Sequence, residues 1–233
     1  KEVMNYVKSS HAIFISDVIQ KHYEEKYSFL SFKTIYDQIA YNEKYSKIHP
    51  KFKSKTIQMM IAGILSEGKG QMEAIKAVEY LNLKGIKCQL SLYGAGPLEH
   101  EIKKYIQEKN LKNVHLKGYA NNLTELRKKY DIALVCSECE ALGRVTVEAM
   151  YYGNLVIGAN TGCTPYIIEN NKTGYIYQYG NPKNLADIIE SVSQKTKENN
   201  QIISNAQKYA IKHFSKSISK KINDYFKEVL QGE

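Results

Sequence analysis

The sequence predicts an α/β fold, a Rossmann-like three-layer α/β/α arrangement on a parallel sheet. Three observations predict it. Short apolar runs alternate along the chain with segments whose apolar positions recur at helical spacing. Glycine-bearing loops close the first two of those runs, Gly63 to Gly70 and Gly94-Ala-Gly-Pro97. And 233 residues, 43% of them hydrophobic, suffice to bury a full core. Strands that alternate with helices imply right-handed crossovers, parallel pairing and helices on both faces.

Each element follows in order. Thr56–Ala62 reads as the first strand. From Gln71 to Leu83, Ala74, Ala77, Val78 and Leu81 mark one face of a helix that Gly85 ends. Cys88–Tyr93 is the next strand, and Pro97 suits the first turn of a helix carrying Leu98, Ile102, Tyr105 and Ile106. The alternation continues through a strand at Val114–Leu116, a helix at Leu123–Lys129 and a strand at Ile132–Cys136. Then come a helix at Arg144–Tyr152, a strand at Leu155–Gly158, a helical turn at Pro165–Glu169 and a strand at Tyr175–Tyr177. Asn184–Ser193, Gln201–His213 and Ser217–Leu230 read as closing helices.

The first fifty residues break this rhythm. They are rich in Lys, Tyr and Ser, with an apolar patch at Ala12–Ile15 and a helical pattern through Val18–Tyr23. They are expected to be the end of a preceding domain and a linker, with Ile48-His49-Pro50 near the join. Lys1 is not an initiator, so the chain is expected to be a piece of a longer protein. The expected division is 1–53, 54–203 for the main domain and 204–233 for C-terminal helices.

Composition narrows the function. No apolar run approaches the roughly 20 residues of a membrane span, and no signal peptide opens the sequence. Four cysteines without disulfide-scaffold density point to a reducing cytoplasm. Cys136-Ser-Glu-Cys139 spells C-x-x-C but lacks a second pair or a nearby histidine, which favours structural thiols over a zinc site. The net charge of +9 reads either as a lysine-rich solvated surface or as attraction to anionic membrane or phosphorylated substrates. No basic stripe interleaved with aromatics suggests nucleic acid. A dinucleotide oxidoreductase would share the fold class, but G-x-G-x-x-G does not follow the first strand.

The chemistry concentrates in Ser137–Met150, where Glu140 and Glu148 bracket a glycine loop that runs from a buried strand into a helix. In an open α/β sheet this carboxyl-end crevice is where ligands bind. A helix N-terminus there offers free N–H groups to a phosphate, and the carboxylates suit a ligand's hydroxyls. On the residues alone, Glu148 is equally a helix glutamate favoured by the dipole. Glu140 reads equally as a solvated loop acid, Lys69 as one surface lysine among many, Gly143 as an ordinary turn and Tyr119 as a core-edge aromatic.

From about Ile57 to Tyr225 the chain resembles the C-terminal, nucleotide-sugar-binding half of family 4 retaining glycosyltransferases of the GT-B architecture. The resemblance rests on a colinear set: Gly63, Lys69-Gly70, Gly94-Ala-Gly-Pro97, Gly118-Tyr119, Glu140-x7-Glu148-Ala149-Met150, Gly153-Asn-Leu-Val-Ile157 and Gly174. Residues 1–50 resemble the end of that architecture's N-terminal domain, with Ala12–Ser16 as its last strand and Ile35-Tyr36-Asp37 leading into the hinge. The resemblance implies a retaining hexosyltransferase acting on a nucleotide-diphosphate-sugar donor. Its acceptor is a glycan or lipid-linked acceptor in bacterial surface polysaccharide synthesis, with peripheral membrane association and no metal cofactor. Glu148 would accept bonds from the ribose hydroxyls. Glu140 would orient the transferred sugar during front-face departure and attack. The backbone N–H groups of Leu142, Gly143, Arg144 and Val145 would meet sugar hydroxyls and phosphate, Lys69 the diphosphate, and Gly118 and Tyr119 the base.

Three departures stand out. Ile64 occupies the position where many members carry an arginine for the diphosphate, which leaves Lys69, with Arg144 as a helper. Gly162-Cys163-Thr164-Pro165-Tyr166 replaces the family's Gly-Gly-x-x-Glu. And most of the acceptor-binding domain is absent from the chain, so the alternative expectation is a nucleotide-sugar-binding module that is not catalytic by itself.

Overall fold

The computed structural model describes residues 10–39, 51–215 and 218–231. Lys1 and the expected join at Ile48-His49-Pro50 lie outside the described residues. The chain begins with a parallel β–α–β unit: β1 (His11–Phe14), α1 (Asp17–Glu24) and β2 (Ser31–Thr34). Ser16 caps α1 by accepting from Ile19 N, 3.3 Å away. Ala12–Ser16 is therefore not the last strand before the hinge, because β2 follows it. Only Phe32 of β2 is apolar and it is exposed, so no hydrophobic pattern announced the strand.

The main body alternates as predicted. In order it comprises β3 (Ile57–Ala62), α2 (Gln71–Leu83), β4 (Cys88–Tyr93), α3 (Glu99–Glu108), β5 (Val114–Gly118), α4 (Leu123–Arg127), β6 (Ile132–Val135), α5 (Arg144–Tyr151), β7 (Leu155–Ala159), α6 (Thr164–Ile167), β8 (Tyr175–Tyr177), α7 (Pro182–Ser193) and α8 (Thr196–Phe214). The six strands β3 to β8 pair in parallel in the order β5-β4-β3-β6-β7-β8. β6 and β7 are buried along their whole length, which explains their unbroken apolar runs. One core packs α2 and α7 on the sheet through Ile75, Val78, Leu81, Leu185 and Ile189, and a second packs α5 and α8 on the opposite face through Val147, Met150, Ala206 and Phe214. The chain winds outward from β3 to β5, then returns to the other side of β3 as β6. The strand order therefore reverses between β3 and β6, and their carboxyl ends open a crevice.

Pro97 lies in the turn ahead of α3 rather than in its first turn. α8 starts five residues before the predicted Gln201. Its polar opening Lys197-Glu-Asn-Asn200 has no apolar period, but Asn199 is fully buried there and donates to the Val192 carbonyl at 2.6 Å. α8 also runs unbroken through the 203/204 division. A final helix, α9 (Ile218–Gln231), returns to the opening unit, where Tyr225 shares a 2.7 Å hydrogen bond with Ser31 and Glu228 pairs with Lys33 at 2.8 Å.

Entry into the main body is locked by two buried charges. Lys51 donates to the carbonyls of Arg127, Lys128 and Tyr130 at 3.4, 3.2 and 2.7 Å. Burial pushes its ammonium down to about 8. Asp131, just before β6, accepts from Phe52 N and Gln58 N at 2.6 and 2.9 Å.

Candidate functional site

The crevice between β3 and β6 is lined by Gly63, Lys69, Gln71, Cys136, Ser137, Glu140 and Val145, among others, and encloses about 100 Å³. Three loops build it. The loop after β3 carries Lys69 and lies against the end of β6, where Glu138 N donates to the Gly68 carbonyl at 2.7 Å. Gly70 makes this contact feasible. Its φ is +70°, and a Cβ there would sit 2.0 Å from the Cys136 carbonyl oxygen. The loop after β6 carries Glu140, and the loop after β7 braces it: Cys163 N donates to the Glu140 carbonyl at 2.9 Å and Thr161 to the Ser137 carbonyl at 2.8 Å.

Lys69 Nζ and Glu140 Oε1 pair at 2.7 Å, so the predicted diphosphate cation and the predicted sugar acid meet directly. Gly143, at φ +68°, turns the chain into α5, whose N-terminus has no side-chain cap. The first-turn N–H groups of a helix lack intrahelical partners, and Val145 of that first turn lines the crevice with Lys69. Leu142 is buried against the second core and does not line the crevice. The Arg144 side chain is exposed and pairs with Asp37 at 3.4 Å, leading away from the role of diphosphate helper.

Glu148 lies one turn further along α5 and does not line this cavity. Its Oε2 lies 3.3 Å from Nη2 of Arg127, a residue the sequence reading missed. Arg127 is 1% exposed, and burial pulls its guanidinium below the usual value, opposed by Glu148. A signal was available: in a chain with 33 Lys and Arg residues, only Arg127 and Arg144 are arginines. Gly118 and Tyr119 stand two strands away at the end of β5, where Gly118 accepts from Gly94 N at 2.9 Å and Tyr119 is 80% exposed. They share the carboxyl edge of the sheet with the crevice but do not line it.

The opening unit reaches the same loops. Ser16 Oγ donates to the Ala141 carbonyl at 2.5 Å, one residue from Glu140. Lys21 lies 5.4 Å from the ring centre of Tyr166, the residue standing where the resemblance expected a glutamate. The cysteines lean structural: burial pushes the thiols of Cys136 and Cys163 up to about 12 and that of Cys88 to about 11.

Comparisons with known proteins identify the family and the fold. The family described as glycosyl transferases group 1 matches residues 42–209. The chain is 31% identical over 117 residues to the poly(ribitol-phosphate) alpha-N-acetylglucosaminyltransferase of Staphylococcus aureus, covering 49% of this chain and 24% of that protein. It is 32% identical over 108 residues to the N-acetyl-alpha-D-glucosaminyl L-malate synthase of Bacillus anthracis, covering 44% and 27%. The chain thus spans about a quarter of the length of these curated relatives. Among solved structures, Anabaena HepE in complex with UDP and glucose superposes with a TM-score of 0.82 at 23% identity, covering 100% of this chain and 66% of that one. A glycosyltransferase from Rickettsia africae superposes with a TM-score of 0.85 at 20% identity, covering 100% and 68%. At these identities the structural likeness establishes the fold.

Proposed function

The chain belongs to the glycosyl transferases group 1 family, and from that premise we propose that it binds a UDP-sugar and transfers the hexose, with retention, to a glycan or lipid-linked acceptor of a bacterial surface polysaccharide. The observation that carries the reading is the convergence of Lys69, Glu140 and the uncapped N-terminus of α5 on the crevice where the strand order reverses. The choice of UDP is supported by the complex of HepE, and the acceptor class by the S. aureus relative.

The chemistry fits the residues. The Lys69 ammonium and the amides of Leu142 to Val145 meet the diphosphate, in the manner of anion sites at helix N-termini. Glu148 accepts from the ribose diol and Glu140 from a hydroxyl of the sugar, while Gly118 and Tyr119 sit at the base end. As the bond between the anomeric carbon and the diphosphate oxygen breaks, its electron pair goes to that oxygen. The acceptor hydroxyl then bonds to the same face of the carbon and yields its proton to the departed oxygen. Lys69 and the amides stabilise the charge that develops there, so the reading assigns no step to a metal. The net charge of +9 favours encounter with an anionic acceptor or the cytoplasmic membrane surface. No helix among the described residues is long and apolar enough to cross a membrane.

A second reading, a nucleotide-sugar-binding module without turnover, is favoured by what meets the crevice loops: among the described residues ahead of β3, one β–α–β unit at 10–39 reaches them. Calorimetry with several nucleoside diphosphates, followed by hydrolysis and transfer assays with the matching sugar donors, separates the two. Glu148→Ala is expected to lose nucleotide binding and Glu140→Ala to lose transfer. Retention of both functions in both variants sinks the site assignment.

A further inference from the structure

Arg127 is a buried cation with little to hold it. Its side chain is 1% exposed; among the described residues its one ion pair is the 3.3 Å contact with Glu148, and its Nε and Nη1 have no hydrogen-bond partner. Taking a charge out of water costs several kcal/mol, and a buried ion pair replaced as a whole by apolar residues is often as stable or more so. Stability therefore gives no account of it.

The choice of arginine is also selective. The chain takes almost all its positive charge from lysine, and only two positions are arginine. Lysine readily sheds its proton on burial, whereas a guanidinium stays charged and presents its donors in a fixed fork. Position 127 thus has a side chain able to hold a carboxylate ion from inside the protein. The carboxylate it meets is 29% exposed, and among the described residues it has no second hydrogen-bond partner. The backbone beneath Arg127 is fixed as well. Its carbonyl accepts from Asn154 Nδ2 at 2.8 Å and from Lys51 Nζ at 3.4 Å.

We propose that Arg127 is a positioning residue: it anchors Oε2 of Glu148 from within the protein, so that the carboxylate presents its remaining acceptor sites to the ribose diol of the bound nucleotide. The proposal rests on the assignment of Glu148 to the ribose.

The test compares UDP with 2′,3′-dideoxy-UDP by calorimetry on the full chain, with folding checked by thermal melting. Arg127→Met is expected to weaken UDP about tenfold, the loss of one charge-assisted hydrogen bond's worth of alignment, while binding of the dideoxy analogue stays within about twofold. Arg127→Lys should recover part of the preference, and adding Arg127→Met to Glu148→Gln should weaken UDP no further than Glu148→Gln alone. Equal weakening of both nucleotides, additive losses, or an unchanged preference in Arg127→Met overturns the proposal. If the methionine variant does not fold, Arg127→Gln and Arg127→Lys decide by the same comparison. Glu148→Gln separates the two levels. If it keeps the UDP preference, the ribose assignment has failed. If it loses the preference while the Arg127 variants keep it, only the positioning role has failed.

Discussion

Replacing Glu140 by glutamine should make the chain bind UDP more tightly while it abolishes transfer. The argument starts from the 2.7 Å pair between Lys69 and Glu140, whose side chains are 33% and 19% exposed. A diphosphate entering the crevice must take the ammonium from that carboxylate and then tolerate the carboxylate's negative charge nearby. Glutamine keeps the shape and removes both penalties. Half-exposed ion pairs of this kind are worth about 1 kcal/mol, so the gain in UDP affinity should be about fivefold. Lys69→Met should do the opposite. It removes a charge-assisted bond worth about 1.5–3 kcal/mol and recovers about 1 from the broken pair, a net loss of roughly two- to thirtyfold. Turnover separates the roles again, because a sugar that loses its orienting acceptor should react at least about a hundredfold more slowly. Titration calorimetry with UDP and a coupled UDP-release assay on the sugar donor give both numbers. Weaker UDP binding in Glu140→Gln would refute the reasoning, since it would mean that the carboxylate supports the nucleotide rather than competing for Lys69.

Arg144→Met should change UDP affinity by less than about twofold, because its guanidinium is engaged with Asp37 and the residue does not line the crevice; calorimetry checks this. Gly70→Ala should cost at least about 2 kcal/mol in chemical denaturation and lose nucleotide binding, since the added Cβ has to push the Lys69 loop off the Cys136 carbonyl. Transfer should persist in EDTA, because the reading meets the leaving diphosphate with Lys69 and backbone amides. Lys51 should make stability rise with pH between about 8 and 9.5. Its folded-state value of about 8 lies below the 10.5 of the free side chain, so the unfolded chain binds the extra proton in that window. The full effect approaches about 3 kcal/mol, and Lys51→Met should flatten the slope measured by denaturant midpoints at several pH values.

What could be read from the residues divides along physical lines. β4, α2 and β8 match their predicted bounds because each is buried on a face with a clean period, two or 3.6, flanked by glycine. β2 and the first turn of α8 were missed because polar side chains, which leave no hydrophobic period, hold them: Ser31 bonds to distant Tyr225, and buried Asn199 to the Val192 carbonyl at the end of the preceding helix. The site divides in the same way. Gly70, Lys69, Glu140 and Gly143 are legible because a loop that approaches another backbone closely demands glycine at fixed spacing from the charged residues. Arg127 belongs to a five-residue helix and acts on a residue 21 positions away, so no local pattern reports it. Its only trace is its rarity in a lysine-rich chain. The same distinction separates the surroundings of the two glutamates, eight residues apart in the sequence. Glu140 precedes the helix and faces a lysine on a loop, a partner that an entering anion can displace. Glu148 lies within the helix and faces a buried arginine, so under the proposed roles its orientation would be set before a nucleotide arrives.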